Sequence, residues 1–255
     1  MKTIDVNLIL GQPGTHPGGV MTTRDLLVEM DRQDIEKGLV THIAGAIHNT
    51  DVGNRLLLRE MQATDHDRQR LMPIPVVNLE LPDGGLDWDT WDEMGTRGVR
   101  ACPSFYGPST HPQAVEELLN QLCAKGWFLQ VPIRPFCGSR WQTATVAGSV
   151  SLAEPKADLL VLIVCPSRGD FAELCIALES CPNLYVDVGN LTTGTAVSDL
   201  VSRGYVDRLV CGSGFGVSCS TPSRDIVRYA PISEAAGEAI LYRNAGQLMG
   251  TRVCR

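Results

Sequence analysis

The chain has 255 residues, 44% hydrophobic and 20% charged, which provides for a large core and argues against extensive disorder. A formal net charge of -7 argues against non-specific binding to nucleic acid or to an anionic membrane surface. The longest apolar run, Leu159 to Cys165, is too short to span a bilayer, and no apolar leader follows Met1. These features predict a soluble, cytoplasmic protein.

Eight short β-rich runs alternate with helical patterns along the whole chain. The runs are Ile4 to Leu10, Val40 to Ile47, Ile74 to Leu79, Val99 to Phe105, Trp127 to Ile133, Leu159 to Val164, Leu184 to Val188 and Arg208 to Cys211. Most are almost continuously apolar, as expected of parallel strands that helices cover. Eight such units predict a single (β/α)8 barrel, with residues 1–255 as one domain. An open doubly wound sheet would need fewer strands.

The helical segments are marked by apolar periodicity and by end signals. Val115, Leu118, Leu119, Leu122 and Cys123 form one apolar stripe, and Gly126 follows the end of that helix. The first helix is predicted from Thr23 to Lys37. The tail from Pro222 to Arg255 is predicted to form a final helix or two that close the barrel.

The nine cysteines are odd in number and scattered, and no C-x-x-C pair occurs. This pattern argues against a structural zinc site and favours buried thiols. Cys165 differs from the others in having a nearby cation, Arg168, which is the setting that a reactive cysteine needs. Inert burial is the simpler interpretation.

In a barrel, ligands bind beyond the carboxyl ends of the strands. Glu80 and His48 follow two of the predicted strands and are candidate general bases. Arg134 and Arg168 follow two others and suit a carboxylate or phosphate, unless they pair with acids such as Glu80, Asp170 or Asp187. The candidate ligand-binding residues are Asn7, Arg134, Arg168, Asn190 and Ser213.

Two other features lie at this end of the predicted barrel. The loop Gly212 to Gly216 offers backbone N–H groups after the eighth strand, where barrels often bind phosphate. Asp187 alternates with apolar neighbours, so it should point into the barrel, be hydrogen-bonded, and have a pKa raised by burial.

Six segments, in chain order, resemble the amidohydrolase-related family of metal-dependent hydrolases and decarboxylases. They are Ile4 to Ile9, similar to the opening Ile-Asp-x-His-x-His strand; Arg97 to Pro103; Gly126 to Pro132; Asn183 to Val188; Val206 to Phe215, similar to Asp-Arg-x-x-x-Gly-Ser-Asp-Phe; and Ala239 to Ala245. The resemblance implies a (β/α)8 barrel, and related barrels often form homodimers.

The resemblance also implies a divalent metal, held by histidines of strands one, five and six, with an eighth-strand Asp that takes a proton from metal-bound water. Position by position, this chain has Asn7, Ile9, Pro132, Cys165 and Gly214 there. We therefore expect no metal and no other cofactor. A relocated metal site that uses His16 and His48 is the alternative.

Three functions are consistent with these residues. The first is a catalytically degenerate barrel that binds a small anionic, carboxylated molecule. The second is a metal-independent lactonase, hydrolase or decarboxylase that acts on a carboxylated substrate. The third is a barrel that binds phosphate through the loops after strands seven and eight.

Overall fold

A computed structural model describes residues 2–12, 22–63, 69–102, 112–134, 143–218 and 220–250. Its strands are β1 (Thr3–Leu10), β2 (Ile35–His42), β3 (Leu71–Pro73), β4 (Val76–Val77), β5 (Gly98–Ala101), β6 (Phe128–Pro132), β7 (Val161–Val164), β8 (Leu184–Asp187) and β9 (Leu209–Val210). Its helices are α1 (Thr23–Arg32), α2 (Ile43–Ile47), α3 (Thr50–Gln62), α4 (Trp88–Glu93), α5 (Pro112–Lys125), α6 (Val146–Ala153), α7 (Phe171–Ser180), α8 (Gly194–Ser202), α9 (Ser220–Arg228), α10 (Glu234–Glu238) and α11 (Asn244–Leu248). Short 3-10 turns cover Arg168–Asp170 and Val206–Arg208, and a π-helical turn at Ala239–Arg243 joins α10 to α11.

All neighbouring strands pair in parallel, in the orders β1-β2-β3 and β4-β5-β6-β7-β8-β9. Two backbone hydrogen bonds bridge the break between β3 and β4. The Ile74 N–H group donates to the Val40 carbonyl oxygen at 2.8 Å, and the Arg100 N–H group donates to that of Pro75 at 2.8 Å. β3 and β4 are therefore two halves of one strand.

The first and last strands are also hydrogen-bonded to each other, which closes the sheet. The Val6 N–H group donates to the Cys211 carbonyl oxygen at 3.0 Å, and the Ile9 N–H group donates to that of Phe215 at 2.8 Å. Counting β3 and β4 together, the described residues form a closed barrel of eight parallel strands with helices outside. The predicted (β/α)8 barrel is confirmed.

Alternate residues of each strand divide the core into an outer and an inner part. In β7, Val161 and Ile163 pack outward with the helices, whereas Leu162 and Val164 belong to the inner cluster. Ala245 and Leu248 of α11 belong to that inner cluster too, together with Ile4 of β1. The C-terminal helix thus closes the amino end of the barrel, as predicted for the tail; residues 251–255 lie outside the described residues.

None of the described helices is both long enough and apolar enough to cross a membrane.

Two predicted boundaries near the N-terminus are wrong. The first helix ends at Arg32 rather than Lys37, because Asp34 adopts a left-handed conformation with φ of 53° and the chain turns into β2. The second strand ends at His42, and the apolar run after it forms α2 instead of continuing the strand. Short apolar runs do not distinguish a strand from a buried helix. Here the His42 imidazole accepts the Ala44 N–H group and caps the helix.

Gly216 provides a direct test of the barrel closure. Its φ is 109°, and a Cβ atom there would lie 1.8 Å from the carbonyl oxygen of Ile9, which belongs to β1, the strand that closes the barrel. We expect Gly216→Ala to lower the free energy of unfolding by at least about 3 kcal/mol, measured by urea denaturation. Gly95→Ala is the matched control, because Gly95 also has a positive φ, 79°, but no atom within 4 Å of the added methyl group. It should cost about 1 kcal/mol. Equal losses would contradict the close approach.

Candidate functional site

Polar and thiol side chains are buried inside the barrel, and we group seven of them, none more than 3% exposed, as one layer. This interior polar layer consists of Asp5, Asn7, Arg100, Gln130, Cys165, Asp187 and Ser213. Strand alternation explains how two of its members reach the interior. Val99 and Ala101 pack outward, so Arg100 between them faces inward, and Gln130 lies beside it in register on β6.

Asn7 connects a cation to a thiol. The Arg100 Nη2 group donates to Asn7 Oδ1 at 2.7 Å, and Asn7 Nδ2 donates to Cys165 Sγ at 3.0 Å. A guanidinium has only donors, so Arg100 fixes which end of the Asn7 amide faces it. The amide N–H group must therefore face Cys165, and the sulfur atom must accept.

Arg100 makes no ion pair with any residue in the described ranges, and its Nε atom has no hydrogen-bond partner there. The segments 13–21, 103–111 and 135–142, which follow β1, β5 and β6, contain no Asp or Glu. An arginine keeps its charge even when it is buried, and an unpaired buried charge costs several kcal/mol. Among the described residues, Arg100 is therefore a buried positive charge without an ion-pair partner.

Cys165 is held in an unusual backbone conformation. Its φ is 53°, in the left-handed region that residues with a Cβ atom seldom adopt. The Asp187 Oδ2 atom accepts its N–H group at 3.4 Å, and Arg134 Nη1 donates to its carbonyl oxygen at 3.3 Å. Side chains from two other strand ends thus fix the backbone at Cys165, which is the kind of local strain that functional sites retain.

Two buried carboxylates hold together the loops at the ends of the strands. Asp5 Oδ1 accepts the N–H groups of Asn7 and Ser213, at 2.9 and 3.0 Å. Asp187 Oδ1 accepts those of Gly189 and Gly212, at 2.8 and 2.7 Å. Burial raises the pKa of Asp5, although its hydrogen bonds oppose the change.

Burial raises the pKa of Asp187 to about 7, against the opposing effect of its backbone hydrogen bonds, and the charge of Asp5 adds to the rise. The structure therefore agrees with the expectation that Asp187 points inward, is hydrogen-bonded and has a raised pKa. Gly212 must lack a side chain here, because an added Cβ atom would lie 2.8 Å from both Asp187 Oδ2 and the Asn7 Cβ atom.

Four N–H groups of the loop after the eighth strand are not free to bind a phosphate. The Gly212 and Ser213 N–H groups bind the two carboxylates, that of Gly214 donates to the Asn7 carbonyl oxygen at 2.8 Å, and that of Phe215 donates to Ser213 Oγ at 2.9 Å. Each of these four donors already has an acceptor inside the protein.

The structure brings some of the predicted site residues together and separates others. Asn7 and Ser213 belong to the interior polar layer. Asn190 lies beside it, where its Nδ2 atom donates to the Pro166 carbonyl oxygen at 2.9 Å. Arg134 forms a largely buried ion pair with Asp170, at 2.7 Å, which is one of the alternatives left open by the sequence.

The remaining candidates lie away from this layer. Arg168 is exposed in the 3-10 turn before α7. His48 is exposed after α2, because the strand predicted to end beside it stops at His42. Glu80 is half-buried in the turn after β4. His16, the residue proposed for a relocated metal site, lies outside the described residues.

Three residues of this region were not identified as candidates from the sequence. Arg100 had a readable signal, a charge in the middle of an apolar strand, which predicts an inward cation. Asp5 had the same signal in β1. His42 was placed within a strand, but it ends β2 beside Gly11, whose added Cβ atom would lie 2.7 Å from the imidazole. Burial lowers the pKa of His42, although the charge of Glu60 opposes this change.

The donor atoms at the positions that the resemblance assigns to a metal do not fit a divalent ion. Both polar atoms of the Asn7 amide are used by Arg100 and Cys165, and a cation already lies 2.7 Å from its oxygen. Ile9 packs in an apolar cluster, and neither Pro132 nor Gly214 has a ligating side chain. Within the described ranges, no three His, Cys, Asp or Glu side chains are grouped to hold a metal.

Comparison with known proteins supports the fold. No protein-family model and no curated protein matches the sequence. Solved structures do match. One is a dihydroxybenzoic acid decarboxylase from Polaromonas sp. with bound manganese and the inhibitor 2-nitroresorcinol. It is 12% identical, with a TM-score of 0.75, and the match covers 99% of this chain and 98% of that one. A probable 2-pyrone-4,6-dicarboxylic acid hydrolase from Acinetobacter baumannii with bound citric acid is 15% identical, with a TM-score of 0.71, over 98% and 100%.

An uncharacterized TIM-barrel protein from Bordetella bronchiseptica is 17% identical, with a TM-score of 0.71, over 98% of this chain and 99% of that one. At these identities the likeness shows the fold alone, and the fold is a TIM barrel. What the barrel does must be argued from the interior polar layer.

Asp187 predicts a pH effect on stability. Because burial raises its pKa from 3.8 to about 7, the native state binds this proton more tightly than the unfolded chain does. Its contribution to stability is complete below about pH 4 and is lost as the pH rises toward 7. The difference in free energy of unfolding, wild type minus Asp187→Asn, should fall by about 3 kcal/mol between pH 4 and pH 7.5 in urea titrations.

Asp170→Asn is the control of opposite sign. Burial opposes the change, but hydrogen bonds from Arg134 and Ser167 lower the pKa of Asp170 overall. The stability that its charge contributes is present at higher pH and is lost as the pH falls, so the same difference should rise with pH. A flat difference for Asp187→Asn would show that folding does not raise the pKa of this carboxyl.

Proposed function

We propose that the barrel binds a small carboxylated molecule in its interior, with the carboxylate held by Arg100. The observation that carries this proposal is the Arg100 guanidinium, which is 1% exposed, donates to the neutral Asn7 amide and forms no ion pair within the described residues. A ligand carboxylate would supply the missing negative charge and could accept hydrogen bonds from the guanidinium, including its Nε–H group. Asp5 and Asp187 do not supply that charge, because their contacts are with the ends of β1, β7, β8 and β9.

The similar structures support this choice of ligand. One of them is a probable dicarboxylic acid hydrolase with bound citric acid, and another is a dihydroxybenzoic acid decarboxylase. Both proteins are named for carboxylated molecules, which an arginine binds through paired hydrogen bonds. Carboxylate is also favoured over phosphate, since the N–H groups of residues 212–215 already have acceptors inside the protein.

We further propose that this site works without a divalent metal. Arg100 provides, through Asn7, the positive charge that a metal would otherwise bring to the same strand end. Unlike a metal ion, a guanidinium orients an anion but cannot bind and activate a water molecule as a ligand. Metal-independence, a single domain, a cytoplasmic location and a homodimer all stay predictions from the sequence.

Replacing Arg100 by methionine tests the proposed ligand. We expect Arg100→Met to bind dicarboxylates such as citrate or glutarate at least about tenfold more weakly, since the ion pair and its hydrogen bonds are removed. The free energy of unfolding of the unliganded protein should change by less than about 2 kcal/mol. Loss of the hydrogen bond to Asn7 destabilises the variant, whereas removal of the buried charge stabilises it. Differential scanning fluorimetry across a carboxylate series measures both effects.

Arg203→Met is the control, because Arg203 is exposed after α8, on the side of the barrel away from the interior polar layer. It should leave carboxylate binding unchanged. The matching neutral amides of the same acids should stabilise neither protein. If carboxylates stabilise wild type and Arg100→Met equally, Arg100 does not hold the ligand and the proposal is wrong.

A further inference from the structure

The sulfur atom of Cys165, in the interior polar layer, accepts a hydrogen bond. The Asn7 amide N–H group points at Sγ, and its direction is fixed by Arg100 on the other end of the amide. A sulfur atom that accepts a hydrogen bond presents electron density rather than an S–H donor to that partner. A hydrogen bond donated to sulfur favours the thiolate, which is the nucleophilic form of cysteine.

Two other thiols near the strand ends differ in this respect. Burial raises the pKa of Cys102 to about 11, and it raises the pKa of Cys211 well above its usual range. Cys211 Sγ also donates to the Ser223 carbonyl oxygen at 3.5 Å, so its proton is engaged. The Arg100 charge opposes the rise at Cys102, but burial dominates there.

A second, independent observation at the same place points to a ligand. Arg100 and Cys165 contact opposite ends of one amide group, so a molecule whose carboxylate reaches the guanidinium lies beside the sulfur atom. The Arg100 Nε atom is buried and has no partner among the described residues, so one donor remains for such a molecule. The cation and the sulfur atom are thus held at the two ends of one amide group.

We propose that Cys165 is the nucleophile of an acyl-transfer reaction on an ester or lactone whose carboxylate is bound by Arg100. This inference rests on the proposed carboxylate site. It assigns that site a reaction class, hydrolysis through a thioester, and a residue that forms the covalent bond.

The step balances with water as the second reactant. Cys165 Sγ forms a bond to the carbonyl carbon, and the bond from that carbon to the ester oxygen breaks. The leaving oxygen takes the proton that the thiol gives up. Water then attacks the thioester, the S–C bond breaks, and the sulfur atom regains a proton, leaving the free acid and the alcohol.

Arg134 and Asp187 act as positioning residues in this proposal. They bind the carbonyl oxygen and the N–H group of Cys165, so they hold the residue at its φ of 53° and aim its side chain. The ion pair between Arg134 and Asp170, at 2.7 Å, fixes Arg134 in turn. This support explains why a residue with a Cβ atom keeps a conformation that would otherwise relax.

The test uses two chromogenic esters, mono(4-nitrophenyl) glutarate and the neutral 4-nitrophenyl butyrate, with the full-length protein. We expect wild type to release 4-nitrophenolate from the glutarate ester at least about tenfold faster than Cys165→Ser, whose hydroxyl can still accept from Asn7. Intact-mass and peptide analysis of acid-quenched samples should locate a glutaryl group on Cys165 that neutral hydroxylamine removes. Arg100→Met should lose the preference for the charged ester.

A second measurement does not depend on turnover. Iodoacetate should alkylate Cys165 faster, relative to Cys175, than the neutral iodoacetamide does, because Arg100 attracts the carboxylate. Cys175 is the internal reference, since it lies half-buried on α7 outside the barrel. Cys165→Ala replaces Cys165→Ser if the serine variant fails to fold.

The outcomes separate this inference from the proposed function. If carboxylates stabilise the wild type through Arg100 but no acyl or alkyl group appears on Cys165, the nucleophile is overturned and the binding site stands. If carboxylates bind without Arg100, both fall. Equal ester cleavage by wild type and Cys165→Ser also overturns the role of Cys165.

Discussion

The hydrogen bond from Arg100 to Asn7 is the interaction on which the account of this barrel depends. It places a fixed positive charge at the position where the amidohydrolase-related family, which this chain resembles, would carry a metal ligand. It also orients the Asn7 amide toward Cys165, which links a cation, an amide and a sulfur atom across three strands. An unpaired guanidinium is costly to bury, so its presence indicates a role that offsets that cost.

Within the described residues, the strand ends are arranged around this charge without an ion pair to it. The two buried carboxylates face backbone N–H groups instead, and in doing so they hold the closing loop and the ends of β7 to β9 in place. Gly212 and Gly216 let that loop approach Asp187 and β1 more closely than any other residue would. Barrel closure and site geometry therefore depend on the same few contacts.

Much of the architecture was predictable from the sequence, because eight apolar runs separated by helical stripes leave few folds of this length. Asp187 was predicted to face inward from simple alternation, and the structure agrees. The site itself was harder to predict. The end of β2 was misplaced because the apolar run Ile43 to Ile47 is consistent with either a strand or a helix. His48 rather than His42 was therefore predicted to end the strand. Arg134 and Arg168 looked equivalent, and only tertiary packing shows that one meets Asp170 while the other is exposed. Arg100 was not predicted as a site residue because it lies within a strand, whereas the candidates were sought after the strand ends.

The most direct test of the central claim is a crystal structure of the protein grown with both citrate and a divalent metal such as manganese. We predict that a carboxylate oxygen lies within hydrogen-bond distance of the Arg100 guanidinium, inside the barrel, and that no metal is bound at Asn7. A metal ion bound to Asn7 or Cys165, with Arg100 turned away from both, would contradict the account.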